Sequence, residues 1–389
     1  MHKLRWACSG LLGVVFLLAP GCVELTGQRI TWFYDEAEDQ LLVLLHYDGI
    51  HESQQEMGEK SADGAQQIPE FVANGDVMLL DWPFHLHRAG IQKKADDEST
   101  DSLERRWAQQ VLKIQTRPIG YYREPNGRIG AAQMVVVPKV KQFVRELNEL
   151  INAQIVKDGN APREPYPRTM KRIYKAAKDD HQWATLEGHA IHIRVPVDPS
   201  EWAGVKAEFL KDVFQQGARS SRPDATEEEK MQLASLIRFL SSAPLSVIDR
   251  GDEVEFVLGA SKRPSTLRAQ LRDEYEKSLE KVTIKEVKVD LDEVLAERLL
   301  EPDTKTSADV SAVLDWGPPE ERVRGLLAAA ERDGPDRKKT AITQLRDWAK
   351  QWNRDHGVPK APAETDDTEA YLAAWKQWYA RMRQFPMAK

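Results

Sequence analysis

Three times between residues 119 and 281 the chain repeats one order of patterns: two short apolar stretches around a tight turn, a proline, and a run with helical spacing. The first copy is Ile119 to Arg123, the turn Pro125-Asn126-Gly127, Ile129 to Val137, Pro138 and a helix over Val140 to Val156. The second is Trp183 to Glu187, Gly188, His189 to Val195, Pro196 and Pro199, then a helix over Glu201 to Gln215. The third is Leu245 to Asp249, Gly251, Glu253 to Leu258, Pro264 and a helix over Thr266 to Lys281. Each turn carries the Asn or Gly that a tight hairpin takes at positive φ. Each proline sits near a helix start, where its missing N–H costs nothing. Val140, Phe143, Val144, Leu147, Leu150, Ile151 and Ile155 line one helical face, and such a face needs a sheet to cover. The expected fold class is α+β: antiparallel β-hairpins each followed by a covering helix, with an all-α C-terminal helical region.

The flanking regions divide the chain further. Ile30 to Tyr34 and Leu41 to His46 around Asp35 to Asp39 predict a hairpin, Asp76 to Trp82 a strand ending at Pro83, and Arg88 to Ser102 a loose loop. Extra helices are expected at Pro167 to Ala177 and Glu227 to Phe239, and a strand at Val282 to Val289. Beyond Glu301 the texture is helical: Glu321 to Arg332, Asp336 to Arg354 and Thr368 to Phe385, the last capped by Thr365 or Asp366 with Glu369 in reply. The expected units are 1–21, 22–100, 101–300 and 301–389.

The first 22 residues state an address. Lys3 and Arg5 precede an apolar run, Leu11 to Ala19, and small residues stand before Cys22. This is the layout of an export signal, and its apolar run is shorter than the ~20 residues that span a bilayer. An apolar run, a small residue and then Cys resembles the lipobox of bacterial lipoproteins, with Ala19 and Pro20 where that pattern prefers Leu and a small non-proline residue. The resemblance implies cleavage before Cys22, its acylation, and a bilayer partner on the periplasmic side or cell surface. The body is similar to envelope lipoproteins of the planctomycete type in its Trp-rich C-terminal helices and high Asp, Glu and Arg content. Only Cys8 and Cys22 occur, so a processed chain has no internal disulfide and relies on its cores. Loss of Lys3 and Arg5 moves the formal net charge from -7 to -9, and interspersed charges argue against a nucleic-acid partner.

The densest chemistry is early in the body. His46, His51, Asp81, His85 and His87 include a His-x-His pair that shares one face of an extended segment, a set from which Zn²⁺ could draw ligands. Ordinary structural histidines are the competing reading. His189 and His192 point to opposite faces of a strand, and His181 beside Asp179 and Asp180 reads as a solvated helix end. Trp348, Trp352, Tyr371, Trp375 and Trp378 have the spacing of a helical core, with a partner-binding surface for an envelope protein or glycan as the alternative. No phosphate loop, Gly-x-Ser-x-Gly elbow or Cys-x-x-Cys pair occurs, so no catalytic residue and no cofactor are assigned. The leading expectation is a membrane-tethered, non-enzymatic scaffold or binding protein. A Zn-dependent hydrolase on the histidine set and a small-solute-binding lipoprotein are the alternatives.

Overall fold

The computed structural model describes residues 23–52, 72, 75–79, 84–124, 126–159, 168–207, 244–270, 289–332, 334–355 and 359–383. The export signal with Cys22, Asp81, the helix expected at Glu227 to Phe239 and the strand expected from Val282 (save Val289) lie outside them. The fold is mixed α+β with antiparallel sheets and a helical C-terminal region.

Strands β1 (Val23–Asp35) and β2 (Gln40–Glu52) form the expected hairpin, longer than its apolar stretches suggest. β3 (Val77–Leu79) and β4 (Phe84–Leu86) make a small two-stranded ladder. The segment expected to be a loop is instead helix α1 (Arg88–Asp96), because Ile91 and Ala95, one turn apart, are both buried. After it come α2 (Ser102–Leu112), β5 (Gln115–Arg123), β6 (Ile129–Pro138) and α3 (Val140–Gly159). Helix α4 (Arg168–Lys178) leads into β7 (Ala184–Glu187) and β8 (Ala190–Pro196), and residues 199–207 are helical. In the β5–β6 and β7–β8 turns Gly127 and Gly188 take φ of +83° and +58°, and a Cβ on Gly188 would lie 2.1 Å from the Ser261 carbonyl oxygen.

β9 (Leu245–Asp249) and β10 (Glu253–Leu258) fall where the third unit places its hairpin. The helix expected from Thr266 begins instead as strand β11 (Ser265–Gln270), which pairs along β1 from Gly27↔Gln270 to Trp32↔Ser265. The larger sheet therefore runs β11-β1-β2-β6-β5, and the smaller runs β7-β8-β10-β9, so the second and third hairpins join each other through β8 and β10. Strands from 22–100 and 101–300 share the larger sheet, so residue 100 does not separate two sheet units as expected.

The C-terminal region is α5 (Leu291–Leu300), α6 (Ala308–Asp315), α7 (Glu320–Arg332), α8 (Pro335–Asp355) and α9 (Thr368–Met382). The N-cap of α9 is Asp367, one or two residues later than expected, and its carboxylate accepts from the backbone N–H of Glu369 and Ala370. Period-2 alternation gives the larger sheet two apolar faces. Leu45, Tyr47 and Ile50 pack with Val72, Val77 and Met78 on one side, while Leu44, Ala132 and Val136 pack with Leu291, Leu295 and Val313 on the other. The C-terminal helices thus cover the second face.

Candidate functional site

The covered face carries more than apolar side chains. Register places Arg268 of β11, Arg29 of β1 and His46 of β2 side by side in one cross-strand row. Like charges directly opposite destabilise a sheet, and a buried arginine needs a partner. Both demands are met by the first turn of α7. Glu320 accepts from Arg268 at 2.6 Å and 3.2 Å through its two oxygens, and from Arg29 at 3.2 Å. Glu321 pairs with Arg29 and, across its other oxygen, with Arg324 one turn on. The N-terminal turn of a helix favours carboxylates, so the macrodipole assists both glutamates.

The cluster extends along the sheet. Arg29 grips Asp48 with Nε at 3.3 Å and Nη2 at 3.1 Å, and the Tyr122 hydroxyl donates to Asp48 at 2.9 Å. The Arg324 guanidinium lies 3.8 Å over the Tyr122 ring. From the end of α9, Arg383 reaches Glu124 at 2.8 Å and Asp48 at 3.1 Å. Glu124 also accepts from the Gly49 backbone N–H at 2.9 Å. On α5, Asp292 lies 3.4 Å from Arg324 and 3.3 Å from the half-exposed Arg332. Arg29, Glu320 and Glu321 are at most 1% exposed, so this is an interior charge cluster, in which water cannot supply missing partners. It holds the carboxylates of Asp48, Glu124, Asp292, Glu320 and Glu321 against the guanidiniums of Arg29, Arg268, Arg324 and Arg383, with Arg332 completing the balance at the edge.

Protonation follows from this packing. Burial opposes charge on Glu321, but Arg29 and Arg324 hold its carboxyl well below the usual range. Asp48 keeps its charge in the same way, lowered to about 2 against burial by Arg29 and Arg383. Burial drives His46 the other way, down from its ordinary value despite Glu321, so the ring is neutral near pH 7. Its Nε2 lies 3.5 Å from Glu321, yet neither ring nitrogen makes a hydrogen bond among the described residues. Asp292 is pushed up to about 6 by burial, against the pull of Arg324 and Arg332.

These last two shifts have opposite signs in pH dependence. Between about pH 4 and 6 the folded chain holds a proton on Asp292 that the unfolded chain has released, so stability falls as pH rises through that window. Below the ordinary histidine range the unfolded chain takes up a proton that buried His46 refuses, so stability falls as pH drops there. Asp292→Asn removes the first contribution. Its stability relative to the native chain, measured by denaturant titration, should rise by about 2–3 kcal/mol between pH 4 and 7. A difference that stays flat across that range would show that Asp292 is ionised throughout.

Of the sequence-derived metal set, only His46 and His87 have described side chains, and these two stand on opposite sides of the larger sheet. His46 lies on the helix-covered face of the larger sheet, whereas His87 pairs with Asp76 at 3.1 Å on the β3–β4 side, and the Asp76 backbone carbonyl accepts from Gln133. His51 and His85 are placed by register alone, opposite Glu24 and Met78. Among the described residues no group of three or more His, Cys, Asp or Glu is arranged to hold a metal ion. The other three described histidines are tied into packing and hydrogen bonds. His189 accepts from the Tyr34 backbone N–H at 2.9 Å and stacks on Phe33, His192 contacts Glu255 at 2.9 Å, and His181 sits edge-on to Trp183 rather than in solvent.

The proposed aromatic surface is interior. Tyr371, Trp375 and Trp378 are at most 3% exposed and Trp352 is 6% exposed. Trp348, half-buried, stacks on Trp352 at 5.1 Å and meets Trp378 edge-on. The core that their helical spacing suggests is the one observed, the rings packing against each other and against α7, and the alternative of a partner-binding surface is not.

Sequence reasoning missed Arg29, Asp48, Glu320, Glu321 and Arg324 as a group. The one local signal was position: Asp48 follows Leu42, Leu44 and His46 on one face of β2, and Arg29 shares one face of β1 with Phe33. Compared with known proteins, the chain matches no family model, and no curated protein and no solved structure matches it.

Proposed function

We propose that the chain is an exported lipoprotein of the bacterial cell envelope, held to a membrane through acylated Cys22 and acting as a scaffold or binding protein. The observation that carries this reading is the junction at residue 22. The signal-like run ends there, and Val23 already belongs to β1, hydrogen-bonded along its length to β2. A body that starts its first strand beside the lipid site has almost no spacer, which suits a module held close against a bilayer. The closed charge cluster supports a non-enzymatic role, because its carboxylates are committed to guanidiniums that hold sheet and helices together. Among the described residues no helix is long and apolar enough to cross a membrane, so the lipid would be the attachment.

Expression in a bacterium that processes lipoproteins tests the reading. The mature protein should begin at Cys22, carry acyl mass and partition into detergent, and Cys22→Ser should abolish both the added mass and the partitioning. An unmodified N-terminus at any other residue would overturn it.

A further inference from the structure

Helix α4 is unlike the rest of this acidic chain. Arg168, Lys171, Arg172, Lys175 and Lys178 fall within eleven residues that contain no Asp or Glu, and all five are exposed. At about 100° per residue, Arg168, Lys171, Arg172 and Lys175 lie within an arc of roughly 100°. The opposite side of the helix carries Met170, Ile173 and Ala177, which pack with Trp183, Ile155 and Val195. The cations therefore point straight away from the protein. Among the described residues Lys171, Arg172 and Lys175 have no ion-pair partner, and what sets them apart is that they stand together on one helical face with no carboxylate between them. Lys178 is drawn along the surface over the Tyr174 ring at 4.6 Å.

We infer that this face of α4 docks on the anionic phospholipid headgroups of the bilayer, a second attachment beside the lipid at Cys22. The assignment rests on the lipoprotein reading for its choice of partner. Charge complementarity selects a phosphate-bearing surface, and a flat row of unpaired cations with its apolar side turned inward suits headgroups rather than acyl chains. The geometry makes the second contact useful. β1 spans about 40 Å from the anchor end to the hairpin turn. The smaller sheet is joined near that turn, where Tyr34 and Trp32 donate to His189 at 2.9 Å and 2.8 Å, and α4 packs beside β8 of that sheet. Two attachments so separated fix the orientation of the body, whereas the lipid alone lets it pivot.

The test uses the processed full-length chain on vesicles of phosphatidylcholine and on vesicles containing phosphatidylglycerol, at about 0.1 M salt. Lysine amines are then labelled with a water-soluble acylating reagent. Each cation near an anionic surface gains on the order of fivefold in partitioning. Labelling of Lys171 and Lys175 should therefore slow by on the order of tenfold or more on the anionic vesicles and recover at about 1 M salt, where screening is short-ranged. A Lys171→Glu/Arg172→Glu/Lys175→Glu variant, with unchanged thermal stability, should leave Lys178 equally reactive on both vesicle types. Equal labelling of the native chain on both would overturn the assignment, as would tighter retention by mixed-sequence nucleic acid than by the anionic vesicles at the same salt. Failure of the anchor is a separate result: the chain would leave the neutral vesicles while still binding the anionic ones.

Discussion

Arg29→Met should unfold the chain at markedly milder conditions than the native protein, by about 3–5 kcal/mol and on the order of 10 °C. Methionine keeps much of the volume and removes the charge, so the effect isolates the electrostatics. The guanidinium faces Asp48, Glu320 and Glu321 at once, and it separates three carboxylates that lie within reach of each other. Arg268 can still serve Glu320, and Arg383 can still serve Asp48, but Glu321 keeps only Arg324 and the neutral His46. A buried carboxylate left short of positive charge must take up a proton or draw water into the interior, and both routes weaken the fold. The paired change Arg29→Met/Glu321→Met should cost much less than the sum of the single changes, because an apolar pair tolerates burial. Equilibrium denaturation of the four proteins measures the coupling. Strict additivity would mean that the two residues do not interact and that the cluster is not what fastens α7 to the sheet.

The cluster is also where reading the sequence reached its limit. The hairpins β1–β2, β5–β6, β7–β8 and β9–β10 were legible because alternation and turn residues are local, and α3, α4, α7, α8 and α9 because a 3.6-residue stripe is local. Strand β11 was not, since its partner β1 lies at the other end of the chain and Thr266 to Gln270 has no alternation strong enough to displace a helical reading. The short helices α5 and α6 lacked a stripe long enough to register. Glu320 and Glu321 read as ordinary acidic residues at a helix start, because such residues are nearly always in water. Alternation within β2 alone puts His46 and Asp48 on one face. What it cannot give is the neighbour: Arg29 and Glu321 stand beside His46, while His87 pairs with Asp76 on the other side of the sheet.

Trp375→Ala should be the most damaging single change outside the charge cluster, at about 3–5 kcal/mol. The ring is fully buried and sits between Trp348 at 5.7 Å, Trp378 at 5.3 Å and Tyr371 at 6.2 Å. Those neighbours are rigid aromatics, so the space left by an indole cannot close by small rotamer adjustments, and the cavity term is retained nearly in full. The damage should also travel. Arg383 caps α9 eight residues further on, and it crosses to Asp48 and Glu124 on the larger sheet. Loosening α9 in its helical core therefore weakens the same interface that Arg29 secures from the other side. Near-ultraviolet circular dichroism should report loss of the coupled tryptophan signal together with the fall in melting temperature, and Trp375→Phe should recover part of both. A Trp375→Ala protein with native thermal stability would instead return these aromatics to the role of an exposed partner surface.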